Sequence, residues 1–149
     1  MTHQGPKVLE YNVRFGDPET QAILVRLQSN LLTIFEATRQ GALGKCKIEW
    51  SNGSSACVVL ANRGYPGKYQ PGAVIEGLPE ADLESPVQIF HAGTTKSRSG
   101  EFIAAGGRVL GVTATGPTLA EALSRCYKAV RGINWDGMQY RRDIGGFSH

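Results

Sequence analysis

The stretch Lys7-Val-Leu-Glu-Tyr-Asn-Val-Arg-Phe-Gly-Asp-Pro-Glu-Thr20 decides how the chain is read. Apolar and polar residues alternate with period two. Leu9, Tyr11, Val13 and Phe15 share one face and Glu10, Asn12 and Arg14 the other, which predicts a strand with its apolar face on a core. Gly16-Asp17-Pro18 ends that strand. Asp17 has the chemistry of a helix N-cap, and Pro18 suits the first helical position. A carboxylate, an amide oxygen and a guanidinium would then reach a helix start, where orphan N–H groups favour anions. Glu10 and Asn12 offer hard oxygen ligands of the kind Mg²⁺ takes beside waters and nucleotide phosphates. Arg14 offers a permanent positive fork suited to phosphate or carboxylate. A half-exposed strand with a solvated polar face shows the same alternation, so the pattern alone leaves both readings open.

Downstream, the period changes. From Pro18 to about Gln40, Ile23, Leu24, Leu27, Leu31, Leu32 and Phe35 recur at three- and four-residue steps, predicting one long amphipathic helix that Gly41 or Gly44 ends. Beyond a boundary near residues 41–45 the texture is mostly β. Strands are expected over 45–51, 56–62, 74–75, 87–92, 101–105 and 108–114. Asn52-Gly53 is a hairpin signal, and an acidic loop is expected from Leu78 to Pro86. Thr118 with Glu121 three residues on is a capping box for a helix to about Arg131. Strands in runs with few helices predict an α+β fold with an antiparallel sheet. The expected organisation is a strand plus long helix over 1–42, then a small, mainly antiparallel β domain with one or two helices over 43–149.

Composition bounds the function. The chain has 149 residues, 41% hydrophobic and 19% charged, with a formal net charge of +3. That balance is too mild to point to nucleic acid, and no Lys/Arg run occurs. No apolar run approaches membrane-spanning length, and the first residues do not read as a signal peptide. Cys46, Cys57 and Cys126 are odd in number and lack CxxC spacing, which predicts reduced, buried small hydrophobes in a cytoplasmic protein rather than a zinc site. His91, before Gly93-Thr-Thr, reads as a structural hydrogen-bonding group.

The motifs carry more. Glu10-Tyr-Asn-Val-Arg-Phe-Gly-Asp-Pro-Glu-Thr-Gln21 resembles the metal-site strand and following loop of the phosphoribosylamine–glycine ligases, ATP-grasp enzymes of purine biosynthesis. Val58-Val-Leu-Ala-Asn-Arg-Gly-Tyr-Pro-Gly67, Phe90-His-Ala-Gly-Thr94, Gly106-Gly-Arg-Val-Leu-Gly-Val-Thr-Ala114 and Tyr140-Arg-Arg-Asp-Ile-Gly145 are similar to later segments of that family, in the same order. The resemblance covers nearly the whole chain but only the C-terminal part of those longer enzymes. The chain is therefore expected to be a fragment, with 1–42 the remnant of an ATP-grasp domain.

The resemblance implies a reaction. ATP phosphorylates glycine's carboxylate, and the amine of 5-phosphoribosylamine displaces phosphate to form an amide. It implies that Glu10 and Asn12 hold Mg²⁺ (or Mn²⁺) and that Arg14 is catalytic, countering the developing charge or anchoring the glycine carboxylate. Asp17 and Glu19 would contact substrate, and Arg141 and Arg142 would reach a phosphate. ATP is a co-substrate on this reading. The rival from another class is a non-catalytic binding domain that inherited the enzyme's C-terminal fold.

The stripe after Pro18 carries a prediction. Burying such side chains stabilises by roughly 1.5–3 kcal/mol each, so leaving Ile23, Leu24, Leu27, Leu31 and Phe35 wet would be costly. Residues 1–40 are expected to be mobile or engaged with a second copy of the chain. A sedimentation monomer with slow amide exchange throughout 7–35 would defeat both outcomes. Deleting 1–40 should leave residues 45–149 unfolding cooperatively.

Overall fold

A computed structural model describes residues 3–79 and 85–146. The centre is a pair of long strands, β1 (Ser54–Asn62) and β6 (Arg108–Gly116), whose alternating aliphatic residues need cover on one face. They run antiparallel, with Ala56 opposite Ala114, Val58 opposite Val112 and Leu60 opposite Leu110. β3 (Val87–His91) joins the far side of β6 and β7 (Met138–Gln139) the far side of β1, giving the order β3-β6-β1-β7. β2 (Ala73–Val74), β4 (Thr94–Lys96) and β5 (Phe102–Ala104) form a second antiparallel sheet in the order β2-β5-β4. Both sheets are antiparallel in every pairing, as expected for an α+β chain.

α3 (Leu119–Val130) covers one face of the larger sheet. It starts where expected, with the Thr118 hydroxyl accepting from the Glu121 N–H at 3.2 Å. Ala122, Cys126 and Val130 recur at helical spacing, and all three are fully buried with Val58, Leu60, Leu110 and Val112. The Cys126 thiol donates to the Ala56 carbonyl at 3.3 Å, joining helix and strand.

Asn62 closes the far end of β1. It is 2% exposed. Its amide donates to the Gly106 carbonyl at 2.8 Å, and its oxygen accepts from the Trp135 indole at 2.8 Å. One side chain thereby joins β1, the Gly106-Gly107 turn and the segment before β7. Beside it, the backbones of Gly93 and Gly106 touch. A Cβ on Gly93 would lie 2.5 Å from the Gly106 Cα, so neither position has room for a side chain. The Gly93 carbonyl accepts from both Ala105 and Gly106 at 2.8 Å.

The pairing of β1 with β6 slips by one residue between Leu60 and Ala61. Leu60 faces Leu110 but Ala61 faces Arg108, leaving Val109 as the inserted residue of a bulge. Simple alternation would put Arg108 on the α3 face with Leu110 and Val112. The bulge turns it to the opposite face.

That opposite face is covered by α1 (Glu19–Leu24). The Ser55 hydroxyl donates to the Ala22 carbonyl, and Arg26 Nη2 donates to the Ser51 carbonyl at 2.9 Å. These contacts cross the boundary expected at 42/43.

Several expectations are corrected. Residues 7–15 form no strand in the structure. Leu9, Tyr11 and Val13 are 97%, 84% and 96% exposed, because no strand of the described chain pairs with this stretch and a lone strand leaves its backbone groups unsatisfied. The single helix over 18–40 is two, α1 and α2 (Leu31–Arg39). The chain leaves the helix at Val25 so that Ser51 N–H can reach the Arg26 carbonyl and Gln28 N–H the Glu49 carbonyl. Asn30 then caps a new helix, accepting from Leu32 and Thr33 N–H. Residues 45–51 supply an isolated bridge, Leu27 to Trp50, instead of a strand, so Asn52-Gly53 does not close a hairpin. Part of the expected acidic loop, 80–84, lies outside the described residues.

Two predictions follow from this packing. Asn62→Ala leaves the Trp135 N–H and the Gly106 carbonyl without partners in a dry site, which should cost about 1–3 kcal/mol in urea unfolding with little change in slope. Burial pushes the Cys126 thiol up to about 11. A group raised in the folded state stabilises below its unfolded pKa and loses that contribution as pH climbs to the folded value. Stability should therefore fall between pH 9 and about 11, and Cys126→Ser should flatten that slope.

Candidate functional site

Glu10, Asn12 and Arg14 line one cleft of about 430 Å³ together with Phe15, Gly16, Asp17, Glu19 and Arg108. The stretch that carries them is extended but unpaired. Its polar side chains still converge, because two-residue spacing in extended backbone puts alternate residues on one side. Five of the residues singled out from the sequence thus share one hollow. Glu10 and Asn12 bring oxygen, Arg14 a guanidinium, and Glu19 a second carboxylate.

Asp17 is not the N-cap. That position falls to Pro18, which makes no side-chain cap. The Asp17 carboxylate instead accepts from Gln21 Nε2 at 3.0 Å and pairs with Arg108 Nη2 at 3.3 Å. Arg108 Nη1 also donates to the Asp17 carbonyl at 2.9 Å. Both side chains of the pair are about two-fifths exposed (39% and 41%), so its Coulomb share of stability is about 0–1 kcal/mol. The Glu19 carboxylate lies over Gly16, in the space a Cβ would take there.

Arg108 is the residue that sequence reasoning missed. It stands within a quoted motif, and its signal was a lone cation in an otherwise uncharged strand. Only the bulge at Val109 brings it to this face.

Arg141 and Arg142 are not in the cleft. Arg141 lines an adjoining hollow of about 430 Å³ with Tyr65, Gln139 and Tyr140, and Arg108 borders both hollows. Its fork is engaged by Asp143, with Nε to Oδ1 at 2.9 Å and Nη2 to Oδ2 at 2.7 Å. That hydrogen-bonded fork holds the Asp143 carboxyl below its usual range. Arg142 stands over the Tyr140 ring at 5.7 Å. His91 is a hydrogen-bonding group, Nδ1 to Thr94 Oγ1 at 3.0 Å, with its ring 4.4 Å from Phe102.

Among the described residues, no group of three or more His, Cys, Asp or Glu side chains gathers into a cation site. The donor set at Glu10 and Asn12 still fits Mg²⁺, which is commonly held by one or two protein oxygens with waters and phosphates completing its shell. The three cysteines are free thiols, Cys126 buried and Cys46 and Cys57 partly so. No helix among the described residues is long and apolar enough to cross a membrane.

Residues 55–146, which span the larger sheet, α3 and β7, match the family described as phosphoribosylglycinamide synthetase, C domain. This chain belongs to that family. A phosphoribosylamine–glycine ligase of Vigna unguiculata is 54% identical over 133 residues, covering 89% of this chain and 43% of the relative. One from Rhizobium meliloti is 48% identical over 145 residues, covering 97% of this chain and 34% of the relative. The crystal structure of the Thermotoga maritima phosphoribosylamine–glycine ligase superposes with a TM-score of 0.72 at 38% identity, over 95% of this chain and 34% of that one. The chain thus spans well under half the length of these synthetases. The likeness to them reaches upstream of the C domain proper, into the residues that form the cleft.

Proposed function

We propose that this chain serves as the C-terminal part of an ATP-dependent ligase that joins 5-phosphoribosylamine to glycine, giving glycinamide ribonucleotide, ADP and phosphate. The observation that carries the proposal is the convergence of Glu10, Asn12, Arg14 and Glu19 in one cleft, in a chain similar throughout to synthetases of that name. Residues 1–42 would be the end of an ATP-grasp body and 43–149 the appended C domain. Its partners would be small molecules in the cytoplasm, neither nucleic acid nor membrane.

The chemistry at such a site is charge management around a phosphoryl group passing from ATP to a carboxylate. Bound Mg²⁺ (or Mn²⁺) would neutralise phosphate oxygens as a Lewis acid. Glu10 and Asn12 would supply its protein ligands. Arg14 places a fixed cation on the same side of the backbone, where it can neutralise charge on glycine's carboxylate or on the phosphate it acquires. Glu19 and Asp17, which line the same cleft, would contact substrate. Arg141, one hollow away, would reach the phosphate of the sugar if it exchanged Asp143 for that ligand, and Arg142 would do so from its place over the Tyr140 ring.

An open cleft on an extended segment supplies neither the effective concentration nor the preorganisation that the reaction needs. The 149-residue chain alone is expected to be inactive, acting as a binding module for the remainder of such an enzyme.

The test uses the segment joined to the N-terminal two-thirds of the Thermotoga maritima synthetase. That chimera should release ADP only when ATP, glycine and phosphoribosylamine are all present. Glu10→Ala and Asn12→Ala should each raise the Mg²⁺ concentration for half-maximal rate about tenfold. Because ligands to one ion act as a unit, the double variant should be little worse than the poorer single one. Strict additivity with an unchanged Mg²⁺ requirement would overturn the shared-ion assignment.

A further inference from the structure

We propose that Arg108 is a positioning residue of this cleft, strapping the otherwise unpaired segment of Glu10, Asn12 and Arg14 to β6. The inference rests on the ligase reading for its kinetic consequence but not for its structural one. Residues 7–15 pair with no strand of the described chain, and the grip nearest to Arg14 lies at their C-terminal end. There the structure provides a two-point grip. Arg108 Nη1 donates to the Asp17 carbonyl at 2.9 Å, and Nη2 meets the Asp17 carboxylate at 3.3 Å. A guanidinium holds two acceptors in one plane, which fixes direction as well as distance, whereas an ammonium cannot. Thr20 N–H on the Gly16 carbonyl at 3.0 Å carries the constraint from the helix to the residue just before Asp17.

Arg108 is itself held. The bulge at Val109 sets its face, and its neighbour Gly107 accepts from the Asn62 N–H at 2.9 Å. The preceding carbonyl, Gly106, takes the Asn62 side chain, which Trp135 orients. An unbroken set of contacts therefore runs from the buried indole of Trp135 to the segment carrying the metal-ligand candidates. Arg108 is also the one cleft residue drawn from the sheet. The C domain would thus contribute to the reaction by fixing where the ligands stand.

Backbone ¹⁵N relaxation on this 149-residue chain tests the structural half. Amides 14–17 should be ordered in the wild type, with order parameters near about 0.85, and should drop below about 0.6 in Arg108→Gln. Arg108→Lys should fall between. A wild type already flexible there, or an Arg108→Gln variant as ordered as the wild type, would overturn the proposal. In the chimera, Arg108→Gln should raise the Mg²⁺ requirement at least about fivefold while the glycine KM stays within about twofold. A change confined to a substrate KM, with order at 14–17 intact, would make Arg108 a direct ligand contact and overturn the positioning role. A wild-type chimera without glycine-dependent ADP release would sink the ligase reading, and the relaxation result would still decide this one.

Discussion

The structure depends most on the buried Asn62. A polar side chain in a dry interior costs free energy unless its donors and acceptor find partners. Asn62 finds them in parts of the chain far apart in sequence, the Gly106 carbonyl and the Trp135 indole. The apolar core around Val58, Leu60, Leu110 and Val112 supplies the larger driving force, but burial is non-directional and would tolerate a sliding sheet. The hydrogen bonds at Asn62 are directional. They fix where β1 ends, where the glycine turn sits and how the segment before β7 approaches. The touching backbones of Gly93 and Gly106 make the same point by exclusion, since a methyl group at either position would push the β3–β4 and β5–β6 connections apart.

On this frame the two faces of the larger sheet serve different ends. The α3 face is aliphatic, alternating and closed. The α1 face carries Ser55, Cys57, Thr113 and, through the bulge, Arg108. Thr113 is wholly buried there, opposite Cys57, and its hydroxyl lies against the Cys57 thiol. A more polar face suits a surface that holds backbone and borders a cleft. The candidate chemistry stands at the edge of the second face.

Much of this was legible in the sequence, for identifiable reasons. β1, β3 and β6 announced themselves as apolar runs bounded by turn residues, and α3 because Thr118 can satisfy an orphan N–H wherever it sits, whereas the two-residue β7 gave no such run. The co-location of Glu10, Asn12, Arg14, Asp17 and Glu19 was readable because extended backbone alternates with or without a partner. What was not legible turned on relations between distant residues. The strand at 7–15 lacked a neighbour, which no local pattern reports. The helix broke at Val25 because residues 49–51 offered backbone partners. Asn30 was a readable cap, overlooked because the apolar stripe ran through it. Arg108 was hidden by a one-residue bulge, and a period-two reading assigns every residue beyond a bulge to the wrong face.

The seating of α1 has a further consequence. The sheet holds this segment largely by its main chain, with Ser55 and Arg108 donating to the carbonyls of Ala22 and Asp17. A carbonyl is present whatever the side chain, so the sequence of the held segment is released from constraint at Ala22, though not at Asp17, whose carboxylate also meets Arg108, while Ser55 and Arg108 are not released. Drift should therefore be lopsided. Positions such as Ala22 can exchange for other helix-compatible residues without loss of the seat. A change at Ser55 or Arg108 loses the seat unless the replacement keeps the donor, because the information that places the segment resides in the surface that receives it.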